Sequence, residues 1–431
     1  MQVSELHSAS PNRSPLGVVD RLVWLGLSQF FRQFIHEGTL VLARPDGQVM
    51  RFGSGTPEIR AAIKDWQWCR RILLDPGLAA GEAYMEGALV VDGPVAGFLD
   101  LVVRNMKGTA GPGIAALNAM LRHVLRPWRQ FNSRRRARAN VAHHYDLCPA
   151  FYDLFLDRQR IYSCGYFAAP DLSIDDAQEA KLRRISAKLR LEPGQEVLDV
   201  GSGWGGLAMH IAEHHQCRVT GITLSKEQLA QSQMRAAERG LDRLVEFRLQ
   251  DYREIDGQFD RIVSVGMFEH VGVRYYPAYF AALRRLLKPN GLAMLHSIGS
   301  LHGPYDTNPW IAKYIFPGGY APSLSEVLCA LEPSGLALGD LEIWQFHYAE
   351  TLKAWRTRFE ANRDKAKAMY DERLCRMWEF YLAGSEASFR HGDQMVFQMI
   401  LSPTRSAVAY DQRPNLTAEV YRQPQAPAAS C

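Results

Sequence analysis

The spacing of apolar and polar residues changes character along the chain. Up to about residue 105, short apolar runs are broken by turn signals; in GTLVLARPDGQVMRFG two alternating segments flank Pro45-Asp46-Gly47 and predict a hairpin. This part reads as a small α+β domain. Residues 106–140 carry GTAGPG, one helical-period segment (IAALNAMLRHVL) and then PWRQFNSRRRARAN, the pattern of a linker with a single helix. From about 180 to 300, five apolar or β-branched runs (EVLDV, CRVTGITL, LVEFRLQD, FDRIVSVG and LAMLHSIG) alternate with turns and helix-period segments. Such α/β alternation predicts a mostly parallel, doubly wound sheet covered on both faces. Aromatic-rich helical segments follow to about residue 402, and the Pro-, Ala- and Gln-rich tail 403–431 is expected to be disordered.

Composition narrows the class without naming a function. With 47% hydrophobic and 22% charged residues in 431, the chain is ordinary globular protein with room for two or three domains. No apolar run approaches the length of a spanning helix, and the first 30 residues lack a secretory pattern, so a cytoplasmic location is expected. The seven cysteines have no metal-binding or redox spacing, and no metal is expected. Net charge is only +4, but no Asp or Glu occurs from Leu101 to Tyr145. The Lys and Arg residues between Arg104 and Arg138, with Trp128 and Phe131 among them, suit a solvated linker, an anionic membrane surface or nucleic acid.

The chemistry begins where the first parallel strand ends. EVLDVGSGWGGLA places Gly201, Gly203, Gly205 and Gly206 at a strand-to-helix turn, where backbone can approach a ligand and a helix start presents free N–H groups. The same glycines satisfy a dinucleotide fingerprint. A nicotinamide site, however, wants a carboxylate ending the second strand, and GITLSKEQ has none before Glu227. Asp199 before the turn and Gln250-Asp251 after the third strand suit S-adenosylmethionine instead, although Asp199 as a turn cap and the glycines as packing residues remain open.

Several ordered blocks then carry a resemblance. HHYDLCPAFYDLFLDRQRIYSCGYF, AQEAKLRRISAKLRLEPGQEVLDVGSGWGGLA, TLSKEQ, LQDYRE, SVGMFEHVG, LHSIG and WIAKYIFPGGY, spanning about His143 to Ser402, resemble the cyclopropane-fatty-acyl-phospholipid synthase family, related to the mycolic acid cyclopropane synthases. The resemblance implies a class I (Rossmann-like) methyltransferase domain over 141–402, preceded by a smaller N-terminal domain. It implies S-adenosylmethionine as donor and a cis double bond of a phospholipid acyl chain as acceptor. A cyclopropane ring is the expected product, with a methyl- or methylene-branched chain as the alternative. It also implies a bound bicarbonate ion as base, held by Cys164, Glu269, His296, Ile298 and Tyr348.

On the donor side it places Tyr162 and Ser163 beside the methionine moiety, Gly201 and Gly203 under it, Thr223, Leu224 and Gln228 near the ribose, and Gln250, Asp251, Tyr252 and Arg253 near adenine. Tyr314 and Phe316 are candidates for the acyl channel, and His143, His144 and Tyr145 for its entrance. Each has a plainer reading: Cys164 as a buried thiol, His296 as a core histidine, Glu269-His270 as a capping pair, Tyr348, Tyr314 and Phe316 as packing. Expected partners are a phospholipid bilayer, met peripherally at the inner face, and a second copy as a homodimer; nucleic acid is not expected. Two departures from the family pattern stand out: Cys148-Pro149 after HYDL, where the family has Gly-Asn, and Gly201-Ser202-Gly203, where it has Gly-Cys-Gly.

Overall fold

The computed structural model describes residues 17–106, 147–169 and 171–408. The basic stretch from Lys107 onward, with His143, His144 and Tyr145, lies outside the described residues, as does the tail beyond Val408.

The N-terminal part begins with a helix, Val18–Phe34, and builds a four-stranded sheet from β1 (Gly38–Ala43), β2 (Val49–Ser54), β3 (Glu58–Ile63) and β4 (Leu89–Val91), in the order β2-β1-β3-β4. The predicted hairpin is present: β1 and β2 pair antiparallel, with Ala43 opposite Val49 across the Pro-Asp-Gly turn. Alternation puts Leu40, Leu42 and Phe52 on one face, where they pack with Ile63, Cys69 and Leu101.

The second sheet holds β5 (Glu196–Val200), β6 (Arg218–Thr223), β7 (Val245–Leu249), β8 (Phe259–Val265), β9 (Leu287–Ser300), β10 (Ala337–Trp344) and β11 (Gln394–Ser402), in the order β10-β11-β9-β8-β5-β6-β7. β5 to β9 are the five predicted runs, all parallel. Helices cover both faces. Ile185, Leu189, Met209 and Ile211 close one side, and Tyr279, Phe280 and Leu283 the other. The carboxyl ends of β5 and β8 therefore lie together, with His296 of β9 opposite Val265, and the loops leaving β5 and β8 form one rim.

The stretch expected to be helical to residue 402 needs correction. It contains helices Pro309–Tyr314, Leu324–Leu331, His347–Ala361, Arg363–Met369 and Glu372–His391, but also β10 and β11. β11 runs antiparallel between β9 and β10, opposite Ala293–Ser300 on one side and Ala337–Trp344 on the other. Its sequence, QMVFQMILS, is buried on both faces, so it reads as an apolar run without alternation. Order also continues past Ser402: Arg405–Val408 forms a short turn, and the Arg190 side chain donates to the Ala407 carbonyl at 2.7 Å.

Polar contacts join the two sheets' surroundings. Tyr84 donates to Glu379 (3.0 Å), His391 meets Asp100 (2.6 Å), and buried Glu82 accepts from Lys313 (2.7 Å) and Tyr314 (2.9 Å). Among the described residues, no helix is long and apolar enough to cross a membrane.

Candidate active site

The glycine turn after β5 is built from positions that other residues would strain. Gly201, Gly203 and Gly205 all have positive φ, at +84°, +53° and +80°. A Cβ on Gly201 would press on Met267 at 2.9 Å, and one on Gly205 would meet Phe247 at 2.6 Å. The backbone N–H groups of Gly201 and Ser202 donate to the Ile222 carbonyl at 3.0 and 2.9 Å, which fixes the turn against β6.

This turn floors a cavity at the carboxyl edge of the sheet. Tyr162, Ser163, Asp199, Gly201, Gly203, Thr223, Leu224, Gln228, Gln250, Asp251, Tyr252 and Arg253 line it together. Twelve of the thirteen positions assigned to the donor from sequence thus meet in one place. Gly205 is the exception: it sits behind the turn as the N-cap of helix Gly206–His215, held between Phe247 and Ser232, and its role is packing.

The polar lining is largely prearranged. Asp251 accepts from the Arg253 guanidinium at 2.8 and 2.6 Å and from its backbone N–H at 3.0 Å. Thr223 and Gln228 are bonded to each other at 2.8 Å. Asp199 differs. It is buried, its Oδ2 has no hydrogen-bond partner, and burial pushes its carboxyl up to about 7. A buried carboxylate oxygen without a partner is costly, and an ammonium or hydroxyl donor entering the cavity would relieve it. The α-amino group of S-adenosylmethionine is such a donor, so the lining fits that molecule.

The second set of predicted residues stands on the wall next to this cavity. Glu269 lies in the short turn after β8, on the same edge, and is buried; its Oε1 accepts from the Ile298 backbone N–H at 2.7 Å, while Oε2 has no partner. Burial raises its carboxyl to about 7. His296, ten residues into β9 and opposite Gln398 of β11, shares a bond of 3.0 Å between Nδ1 and the Gln398 side-chain amide. That contact leaves Nε2 as the ring nitrogen able to serve a ligand. Burial, with Lys181 and Lys188 nearby, holds His296 well below the usual imidazole range, so it is neutral.

Cys164 is buried, its thiol donates to the Gly165 carbonyl at 3.3 Å, and burial keeps it protonated. The Gly165 N–H is bound by Thr351 at 2.9 Å, one turn along from Tyr348 in helix His347–Ala361. Tyr348 itself packs between Phe389 (4.8 Å) and Trp355 (5.9 Å). Trp344 edges against His296 at 5.3 Å and meets Tyr166 at 5.0 Å, which ties β10 to the segment carrying Cys164.

The Ile298 expectation is modified by this geometry: its N–H is already committed to Glu269. The pair Glu269–Ile298 therefore acts as a unit, presenting one free carboxylate oxygen. Phe316 stands at the site, 5.8 Å from Tyr381 and 6.3 Å from His270. Tyr314 does not; it turns away to Glu82 in the N-terminal part.

Sequence reading missed Lys181. It is fully buried, lines the donor cavity, donates to Ser163 Oγ at 2.8 Å and lies close enough to Cys164 and His296 to influence both. Burial lowers its ammonium to about 8, so a cation, with buried Asp157 as a charged neighbour, stands at the donor cavity beside Cys164. Its signal was a lysine on the same helical face as Ala177, Ala180 and Ile185 in AQEAKLRRI, where a solvated side chain does not belong. His270 was noticed only as a partner of Glu269; it lines the cavity, and burial takes its imidazole down to about 4. Neutral His296 and buried Glu269, with its carboxyl raised and one oxygen without a partner, are polar groups of the kind a small anion would take as hydrogen-bond partners.

The mycolic acid cyclopropane synthetase family matches residues 132–399. The cyclopropane-fatty-acyl-phospholipid synthase of Escherichia coli K12 is 39% identical over 358 residues, covering 81% of this chain and 89% of that one. A tuberculostearic acid methyltransferase of Mycobacterium tuberculosis is 40% identical over 291 residues, 64% of this chain and 68% of its own. The crystal structure of a mycolic acid cyclopropane synthase complexed with SAH and CTAB superposes with a TM-score of 0.59 at 36% identity, over 61% of this chain and 97% of that chain. The doubly wound sheet is that of the class I S-adenosylmethionine-dependent methyltransferases, and the chain belongs to the mycolic acid cyclopropane synthetase family.

Proposed function

We propose that this enzyme transfers a methylene unit from S-adenosylmethionine to the cis double bond of an unsaturated phospholipid acyl chain, forming a cyclopropane ring. The observation that carries the reading is a donor cavity with an orphaned Asp199 oxygen beside buried Glu269, which has its own orphaned oxygen and precedes the cavity-lining His270.

In the reaction the alkene π pair attacks the sulfonium methyl carbon, the C–S bond breaks, and S-adenosylhomocysteine leaves with the bond's electrons. Because an isolated alkene is a weak nucleophile, holding both reactants in line supplies much of the rate. Asp199 anchors the amino-acid end of the donor, and Thr223, Gln228 and the Asp251–Arg253 pair set the nucleoside end. The resulting carbocation must be kept from water. Tyr162, stacked on Trp355 at 5.2 Å and bonded to Tyr381 at 2.9 Å, contributes aromatic faces to a dry, cation-tolerant wall. A proton then leaves the transferred methyl group, and its C–H electrons close the ring. A bicarbonate ion, when bound, supplies the base for that proton. Glu269, His296, Cys164, Tyr348 and Lys181 would hold it, with Glu269 accepting or donating a hydrogen according to its charge and Lys181 balancing the anion.

An acyl substrate resides in a bilayer, so the enzyme works at a membrane surface. Helix Val18–Phe34 supports that reading: Val18, Val19, Leu22 and Leu25 are exposed on its first turns. The division into a small N-terminal domain and a catalytic domain from about 141 belongs to the same proposal.

The alternative product, a branched chain, is favoured by the similarity to the tuberculostearic acid methyltransferase. Both begin with the same methyl transfer. Incubation with S-adenosylmethionine and vesicles of defined cis-unsaturated phospholipid, followed by proton NMR of the lipids, separates them. Upfield ring-methylene signals are expected; a branched product without them overturns the cyclopropane reading.

A further inference from the structure

We infer that Glu179, His210 and His214 form a binding site for one late first-row divalent cation of the zinc class. None of the three lines the donor cavity. His210 and His214 are four residues apart in helix Gly206–His215 and so share a face, with ring centroids 4.5 Å apart. Glu179 reaches them from helix Ile174–Leu189. One potential ligand atom from each residue lies within 4.8 Å of the others.

The second observation is the state of His210. Its side chain is 3% exposed, and its Nδ1 is buried with no hydrogen-bond partner, 3.8 Å from Glu179 Oε1. A buried ring nitrogen in this condition has a lone pair or a proton with nowhere to go. Two imidazoles and one carboxylate are the donor set of zinc, nickel and copper rather than of magnesium or calcium. Ligand bonds of about 2.0–2.2 Å require the three atoms to draw closer. Exposed His214 and half-exposed Glu179 have the freedom to do so around the fixed His210, and solvent completes the coordination.

Arg183 is the competitor, its Nη1 also 3.8 Å from Glu179 Oε1. Metal binding therefore displaces a weak surface ion pair. The ion would tie the helix that leaves the glycine turn to the helix that carries Lys181, stapling two elements that frame the donor cavity.

The test uses the full chain, stripped with chelator and titrated with Zn2+ alone, in a background with Cys148, Cys329 and Cys431 changed to Ser so that thiolates do not compete. One ion per chain and a raised melting temperature are expected. Loss of an outer partner already costs metal sites about tenfold in affinity, so His214→Ala and Glu179→Gln, both at accessible positions, should weaken binding at least that much. Their metal-free melting temperatures should stay unchanged. Arg183→Met should tighten binding. Equal zinc affinity in the parent and His214→Ala, or no uptake at micromolar zinc, overturns the site.

Discussion

The donor cavity and the adjoining wall share the same sheet edge but are assembled in opposite ways. The cavity is made by short sequence-local units, each at the end of its own strand: Asp199 to Gly203 after β5, Thr223 to Gln228 after β6, Gln250 to Arg253 after β7. The wall collects Cys164, Glu269, His296 and Tyr348 from segments far apart in sequence, bound together by Thr351, Gln398 and Trp344. In the cavity the polar groups other than Asp199 are largely bonded to one another; the wall is aromatic and buried, with perturbed carboxyl and imidazole groups. One region is suited to recognition and the other to chemistry, and substitutions on the two sides should separate binding from turnover.

The largest effect belongs to the wall. Glu269→Gln keeps the shape and the Ile298 contact but removes the charge, and turnover should fall by about 10²–10⁴-fold with donor affinity unchanged, as read by calorimetry and steady-state rates. Equal losses in binding and turnover would erase the contrast.

On the donor side, Asp199→Asn should weaken S-adenosylmethionine binding by about 10- to 100-fold, the scale of a hydrogen bond to a charged group. Its pH dependence sharpens the point. Asp199 stands at about 7 when folded, against about 4 in an unfolded chain. Between those values the folded protein holds the extra proton. Stability without donor therefore falls as pH rises from about 4 to 7 and then levels, and Asp199→Asn removes its share of that fall. Donor affinity moves the other way, rising through about pH 7 in the wild type and staying flat in Asp199→Asn.

Gly205→Ala tests the scaffold rather than either surface. A Cβ at φ +80° and 2.6 Å from Phe247 should destabilise the fold by roughly 1–3 kcal/mol, visible as a lower melting temperature. Tyr314→Phe is the mildest change. It should cost about 1 kcal/mol through the lost Glu82 bond and leave turnover intact, because the hydroxyl faces the N-terminal part.

The same contrast explains what could be read from the residues alone. Strands β5 to β9, the glycine turn with Asp199, and Gln250-Asp251 were legible because a β-branched run followed by a turn is local information, whereas Tyr162, Ser163, Thr223, Leu224, Gln228, Tyr252 and Arg253 were placed by the family resemblance. Lys181 was hidden because its position looks like one more helical lysine until Ser163 and Cys164 fold over it. β10 and β11 were missed because they pair across long stretches of chain, and their aromatic and methionine content resembles the helices around them. Glu269 and His296 came from the family resemblance, and the commitment of Ile298 to Glu269 depends on how β9 lies beside the turn after β8, which no spacing shows. The proposed zinc-class site repeats the lesson, since His210 and His214 share one helix while Glu179 comes from another.

Transfer from a donor carrying a trideuterated methyl group, into vesicles of a cis-monounsaturated phospholipid, tests the central claim most directly. Mass spectrometry and NMR should find two of the three deuterons retained, both on a ring carbon. Retention of all three in a methyl branch, or two on an exocyclic methylene carbon, would contradict it.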